Sequence, residues 1–244
     1  MSILLLDVGN SRLKWALANG GGFGAGGAAE HDGSPAALIA HIPVTALTAA
    51  WAANVTGDGL GAALAAEVQS RFGVPLHFAQ VQQERHGLRI AYADPSRLGV
   101  DRWLAMLALR REQQGPFVVA SAGTALTFDA VDGTGQHLGG VIAPGLLTAQ
   151  RAVLGATRFA ANGPDAIYDS GLGTNTDACV RQGAFHACVG LLERLAECYA
   201  PTGARRVLIG GDATVLVSEL KGNWVQRPEL IMDGLLVLAN SEAD

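Results

Sequence analysis

Leu4-Leu5-Leu6-Asp7-Val8-Gly9-Asn10-Ser11-Arg12-Leu13-Lys14-Trp15-Ala16-Leu17 lies over Val118-Val119-Ala120-Ser121-Ala122-Gly123-Thr124-Ala125-Leu126-Thr127-Phe128-Asp129-Ala130-Val131 without a gap. In each stretch an apolar run of strand length ends in a Gly-centred turn and resumes as a second apolar run, the pattern of a β-hairpin. Gly9 falls on Gly123, Asn10 on Thr124, Asp7 on Ser121 and Leu17 on Val131. A repeat at about 114 residues is too long a period for a solenoid. It implies two related α/β halves, each opening with a hairpin whose turn faces the other across a cleft. Gln113-Gln114-Gly115-Pro116 marks the break between them, giving halves 1–115 and 116–244.

Outward from the first hairpin, six of the nine residues from Asn19 to Gly27 are Gly, which reads as a flexible loop. These glycines do not follow a strand and open a helix in the dinucleotide-binding manner. Leu60 to Phe72 reads as a helix, and Pro95 breaks regular structure ahead of Leu98-Gly99-Val100-Asp101-Arg102. Trp103, Met106, Leu107 and Arg110 follow at helical spacing, so Asp101 sits at or near a helix start. Phe185, Cys188, Val189, Leu192, Leu195, Ala196 and Tyr199 form one apolar stripe of a long helix, read as core or subunit interface.

Of 244 residues 49% are hydrophobic and 16% charged, ample for a buried core. A net charge of −5 argues against a nucleic-acid binder held by a general basic surface. No stretch approaches the roughly 20 apolar residues that span a bilayer. The first apolar run lacks a basic flank and is too short for a signal peptide, so no membrane association and a cytoplasmic location are expected. Cys179, Cys188 and Cys198 form neither a disulfide framework nor a zinc pattern and read as small core residues.

Turns rich in Gly, Ser, Thr and Asn suit polyphosphate, because the backbone approaches closely and its N–H groups donate to phosphate oxygens. Asp7, ending the first strand, is placed to hold Mg²⁺ directly or through water. Lys14 reads equally as a phosphate-side charge or a solvated strand residue. A third turn, Leu208-Ile209-Gly210-Gly211-Asp212-Ala213, follows an apolar strand and suits close approach of an adenosine moiety. No Gly-x-x-x-x-Gly-Lys-Ser/Thr occurs, which excludes a P-loop.

The ordered set of three turns resembles the phosphate-1, phosphate-2 and adenosine elements of the actin, sugar kinase and Hsp70 superfamily. With Tyr92-Ala93-Asp94-Pro95, Leu98-Gly99-Val100-Asp101-Arg102 and Gly173-Thr174-Asn175-Thr176, the chain is similar to type III pantothenate kinase over nearly its whole length. The resemblance implies a duplicated ribonuclease H-like (actin-like ATPase) α/β fold and transfer of phosphate from ATP to pantothenate, the first step toward coenzyme A. It implies Asp101 as the catalytic carboxylate. It also implies ATP contacts from Asp7, Val8, Gly9, Asn10, Ser11, Arg12, Leu13, Lys14 and Thr124. Tyr92, Gly99, Val100, Asp101 and Arg102 would line the pantothenate pocket, with Arg102 suited to the substrate carboxylate. Thr176 would reach a partner's pocket across a homodimer.

The family usually has Asp where this chain has Ser121, a position that helps bind a monovalent cation (K⁺ or NH₄⁺). A hydroxyl there supplies no charge, which puts potassium dependence in question. Two rival readings share these residues: a kinase of another small hydroxylated or carboxylate acceptor on the same fold, and a catalytically weakened relative serving as a transcriptional accessory factor.

Overall fold

The structure, a computed structural model, describes residues 2–10, 12–19, 22–30, 34–43, 46–157, 168 and 170–242. The chain opens with β1 (Ser2–Val8), β2 (Arg12–Asn19), β3 (Gly22–Glu30), α1 (Pro35–Ala40), β4 (Leu47–Asn54), α2 (Asp58–Phe72) and β5 (Leu76–Phe78). Short strands β6 (Glu84–Arg85) and β7 (Leu88–Arg89) and a 3-10 turn, Pro95–Arg97, lead into α3 (Val100–Glu112). Then come β8 (Phe117–Ala122), β9 (Ala125–Val131), β10 (His137–Pro144), α4 (Leu146–Ala156) and α5 (Thr176–Tyr199). The chain finishes with β11 (Arg205–Ile209), α6 (Ala213–Val217), β12 (Trp224–Gln226) and α7 (Leu230–Ser241).

The duplication predicted from the two hairpins is present. One five-stranded sheet runs β3-β2-β1-β4-β5 and the other β10-β9-β8-β11-β12, the same order built twice. In each, the first three strands are antiparallel and the central strand pairs in parallel with the fourth. This is the duplicated ribonuclease H-like α/β fold.

The chain divides into two compact units: Met1–His86 with Tyr92–Glu112 and Glu229–Asp244, and Gly87–Ala91 with Gln113–Pro228. The sequence division at 115/116 grouped 229–244 with the second half, whereas α7 packs on α3 and on β1 and β4 of the first unit. Gly234 permits that approach, since a Cβ there would collide with the Leu104 carbonyl.

In the first unit, alternation along β1 sends Leu4, Leu6 and Val8 into a core with Leu38 and Ile39 of α1 and Leu64 and Val68 of α2. Leu5 is also fully buried, so β1 is covered on both faces, which explains its unbroken apolar run. Asp7 shares the second face, the one on which α7 and α3 lie. In the second unit Val118, Ala120 and Ala122 of β8 pack against Phe185, Cys188, Leu192, Leu195 and Ala196 of α5.

Two expectations are corrected. Of the expected loop from Asn19 to Gly27, Asn19 belongs to β2, Gly22 to Gly27 is part of edge strand β3, paired antiparallel with β2, and residues 20 and 21 lie outside the described residues. Gly27 serves Trp15: a Cβ there would stand 2.9 Å from the indole Nε1, so a bare backbone at this position lets the ring lie against the strand. Of the cysteines, Cys188 alone is buried, its thiol pushed up to about 11 by burial and then by Asp212, while Cys179 and Cys198 are exposed. The α5 stripe is core as far as Ala196, and Tyr199 at its end is exposed.

Candidate active site

The first unit carries most of the expected residues. Across the β1–β2 hairpin Asp7 stands directly opposite Lys14. The turn between them is closed by the Gly9 N–H donating to the Arg12 carbonyl at 3.0 Å. Asn10 is exposed on the turn, and Ser11 lies outside the described residues. Val8 and Leu13 send their side chains into the core, which restricts any nucleotide contact of theirs to the main chain. Arg12 is exposed, its guanidinium 4.0 Å from Glu30 in a surface pair of little energetic weight.

Asp7 is half-buried, and its carboxyl is pushed up to about 6. Burial is the largest cause; Lys14 pulls the other way, and Asp101 and Glu229 add to the rise. The fold explains the grouping. Asp101 lies in the first turn of α3 and Glu229 at the N-cap of α7, the two helices on the Asp7 face of the sheet. A site that raises an aspartate in this way favours whatever brings positive charge to it.

The carboxylate of Asp101 curls back over its own helix start, Oδ1 accepting the Arg102 N–H at 2.9 Å. Gly99 makes room for it, because a Cβ there would stand 2.7 Å from Asp101 Oδ1. Arg102 is buried, and its Nη1 donates to the Tyr92 hydroxyl at 3.3 Å with the guanidinium 6.0 Å from the ring centroid. Val100, also buried, opens the helix. Tyr92, Gly99, Val100, Asp101 and Arg102 thus lie on one short segment, of which Asp101 is near enough to act on Asp7.

The second unit holds Ser121, Thr124 and Thr176. Ser121, the residue before the last of β8, lies between Thr127 of β9 and Ile209 of β11. Thr124 is exposed on the turn, its carbonyl accepting the Gly145 N–H at 3.1 Å and the Thr148 hydroxyl at 2.6 Å. A Cβ on Gly145 would collide with the Gly123 carbonyl. The third turn lies against the same strand end. Gly210 has φ +100° with its missing Cβ facing the Ala122 backbone, and the Asp212 N–H donates to the Ala122 carbonyl at 3.0 Å. Burial raises the Asp212 carboxyl.

Thr176 begins α5, exposed, behind an Asn175 cap whose side chain accepts the Ala178 N–H at 2.9 Å. It borders an open groove of about 740 Å³, also lined by Val153, Val180, Gly183 and Ala187.

Three neighbours escaped the sequence reading. Glu229 was grouped with the other half. Gly145 was signalled only by a Pro144-Gly145 pair before an apolar helix, and Asp212 was read as part of a turn. Among the described residues no group of three or more His, Cys, Asp or Glu side chains is arranged to hold a metal ion, and no helix is long and apolar enough to cross a membrane. One or two carboxylates suffice for a Mg²⁺ that arrives on nucleotide phosphates and keeps its waters, and Asp7 fits that part.

The type III pantothenate kinase family model matches residues 3–198. The chain is 36% identical over 251 residues to a type III pantothenate kinase of Azoarcus sp. strain BH72, covering 99% of this chain and 92% of the relative. It is 37% identical over 242 residues to one of Chromobacterium violaceum, covering 98% and 99%. Among solved structures, a conserved putative Baf family transcriptional activator from Campylobacter jejuni superimposes with a TM-score of 0.65 at 19% identity, covering 98% of each chain. At that identity the likeness speaks for the fold alone.

Proposed function

The chain belongs to the type III pantothenate kinase family, and from that premise we propose that it transfers the γ-phosphoryl group of MgATP to the 4′-hydroxyl of pantothenate, with Asp101 as the base. The observation that carries this reading is the pairing of Asp7 with Asp101. One carboxylate stands one residue before the end of β1, beside a phosphate-type turn, and the other lies at the start of α3, close enough to add to the rise that burial causes.

Asp7 holds the magnesium that comes with ATP, directly or through water, and the ion supplies charge neutralisation for the phosphates. In the first unit the N–H groups of the Gly9-Asn10 turn, with Lys14 and Arg12, take up phosphate charge, and in the second unit the Gly123-Thr124 turn offers N–H groups of the same kind. Pantothenate lies along Tyr92, Gly99, Val100 and Arg102, its carboxylate drawn by the Arg102 guanidinium. Its hydroxyl oxygen forms a bond to the γ-phosphorus as the bond to the β–γ bridging oxygen breaks. Asp101 takes the hydroxyl proton, and ADP leaves. The third turn, Gly210-Gly211-Asp212, serves the adenosine.

Thr176 reaches the pocket of a second copy in a homodimer of the cytoplasm. The groove beside it, lined by small and apolar side chains, supports that placement. Ser121 stands at a monovalent-cation position without a charge to hold K⁺. No nucleic acid or membrane enters the reading.

The test is Asp101→Asn, which keeps the shape of the side chain and cannot take the proton. A positioned base contributes about 10²–10⁴-fold, so kcat falls by that factor while the thermal transition stays near wild type. A folded variant with near wild-type turnover removes Asp101 from the role.

A further inference from the structure

In the second unit two ionisable side chains are buried together, and neither belongs to the chemistry above. His137 Nε2 and Asp129 Oδ1 lie 3.0 Å apart with side-chain exposures of 0% and 1%. The other ring nitrogen, Nδ1, accepts the backbone N–H of Ala91 at 3.4 Å. An accepting Nδ1 leaves the ring proton on Nε2, so the imidazole donates to Asp129 and receives from Ala91. Burying such a pair in a sheet is costly compared with apolar side chains, which calls for a reason beyond packing.

The fold makes a special arrangement for this histidine. The register of β10 against β9 shifts between His137 and Gly139, a bulge with Gly139 at φ +121°. Bulges re-aim side chains. Here His137 turns fully inward, and Leu138, the extra residue, is left 53% exposed.

What the histidine grips is the segment that leads into Tyr92. The Arg89 N–H donates to the Gly135 carbonyl at 3.0 Å, and Gln136 Nε2 donates to the Arg89 carbonyl at 3.3 Å. The turn supplying these groups is itself ordered by Asp132, whose side chain accepts the N–H groups of Thr134 and Gln136 at 2.8 and 2.9 Å. Ala91, the residue bonded to His137, is exposed and one peptide bond from Tyr92. We infer that His137, oriented by Asp129, is a positioning residue for the acceptor pocket. By fixing Ala91 it sets where Tyr92 presents its hydroxyl to Arg102, and so tunes pantothenate affinity. The inference rests on the reading that Tyr92 and Arg102 line that pocket.

Steady-state kinetics of Tyr92→Phe, His137→Leu, His137→Asn and the Tyr92→Phe/His137→Leu pair test it. Tyr92→Phe should raise KM for pantothenate; if it does not, the pocket reading fails and takes this inference with it. Given that rise, His137→Leu should raise KM for pantothenate by about 3- to 10-fold, the loss of one hydrogen bond, with smaller changes in kcat and in KM for ATP. His137→Asn offers Oδ1 to the Ala91 N–H and should recover most of the loss. The double variant should be no worse than the worse single one, since both act through Tyr92. An unchanged KM for pantothenate in His137→Leu, or equal losses toward both substrates, overturns the inference while leaving the pocket intact. Should His137→Leu fail to fold, amide exchange at Ala91 in the wild-type protein decides: protection that deepens on adding pantothenate supports the anchor, and fast exchange unaffected by pantothenate refutes it.

Discussion

Asp7→Asn should make the empty enzyme more stable and, at the same time, impair nucleotide binding. The carboxyl of Asp7 is raised from 3.8 to about 6, chiefly by burial. The folded protein therefore holds this proton more tightly than the unfolded chain does. Wild-type stability accordingly falls as pH rises from about 4 to about 6 and is flat above, where the charged form is carried at a penalty. Two pKa units at about 1.36 kcal/mol each put the penalty near 3 kcal/mol as an upper value. The partial solvent contact of Asp7 reduces it, and an increase of about 1–3 kcal/mol is expected in Asp7→Asn above pH 7. For a chain of this size that is a rise in Tm of roughly 3–9 °C. The assay is thermal melting of wild type and variant from pH 4 to pH 8, with and without MgATP. The advantage of the variant should shrink to nothing toward pH 4, and MgATP should raise the Tm of wild type far more than that of the variant. A variant no more stable than wild type at pH 8, or a difference independent of pH, refutes the reasoning.

Gly145→Ala drives a Cβ into the Gly123 carbonyl and should displace the second phosphate turn, raising KM for ATP by at least about tenfold in steady-state assays. Thr176→Ala should raise KM for pantothenate, and sedimentation of the active wild type should give a dimer; a fully active monomer contradicts the shared pocket. Ser121→Asp should sharpen potassium activation. The missing attraction amounts to about 4 kcal/mol at 4 Å for an effective dielectric near 20, less the desolvation of the ion. Turnover against K⁺ at constant ionic strength reads this out, and tight activation in wild type that the substitution does not change counts against it.

The gapless match of Leu4–Leu17 to Val118–Val131 made the fold legible, because a hairpin at the start of each sheet fixes two of its five strands once the duplication is seen. The Gly-rich segment misled, since nothing local tells a loop from an edge strand in which Gly27 accommodates Trp15 of the neighbouring strand. The bond between Tyr92 and Arg102 lay within reach because ten residues separate them. Glu229 beside Asp7 did not, because it depends on α7 returning to the first unit. The buried Asp129–His137 pair was hidden for a different reason: period-two alternation assigns sides to a strand only until a bulge resets it.

Incubation of the purified chain with γ-labelled ATP, Mg²⁺ and pantothenate tests the central claim most directly. The account predicts label on the primary hydroxyl of pantothenate, one ADP formed per phosphorylated product, and loss of both in Asp101→Asn. ADP formed at the same rate without pantothenate, or label that reaches only water, would contradict it.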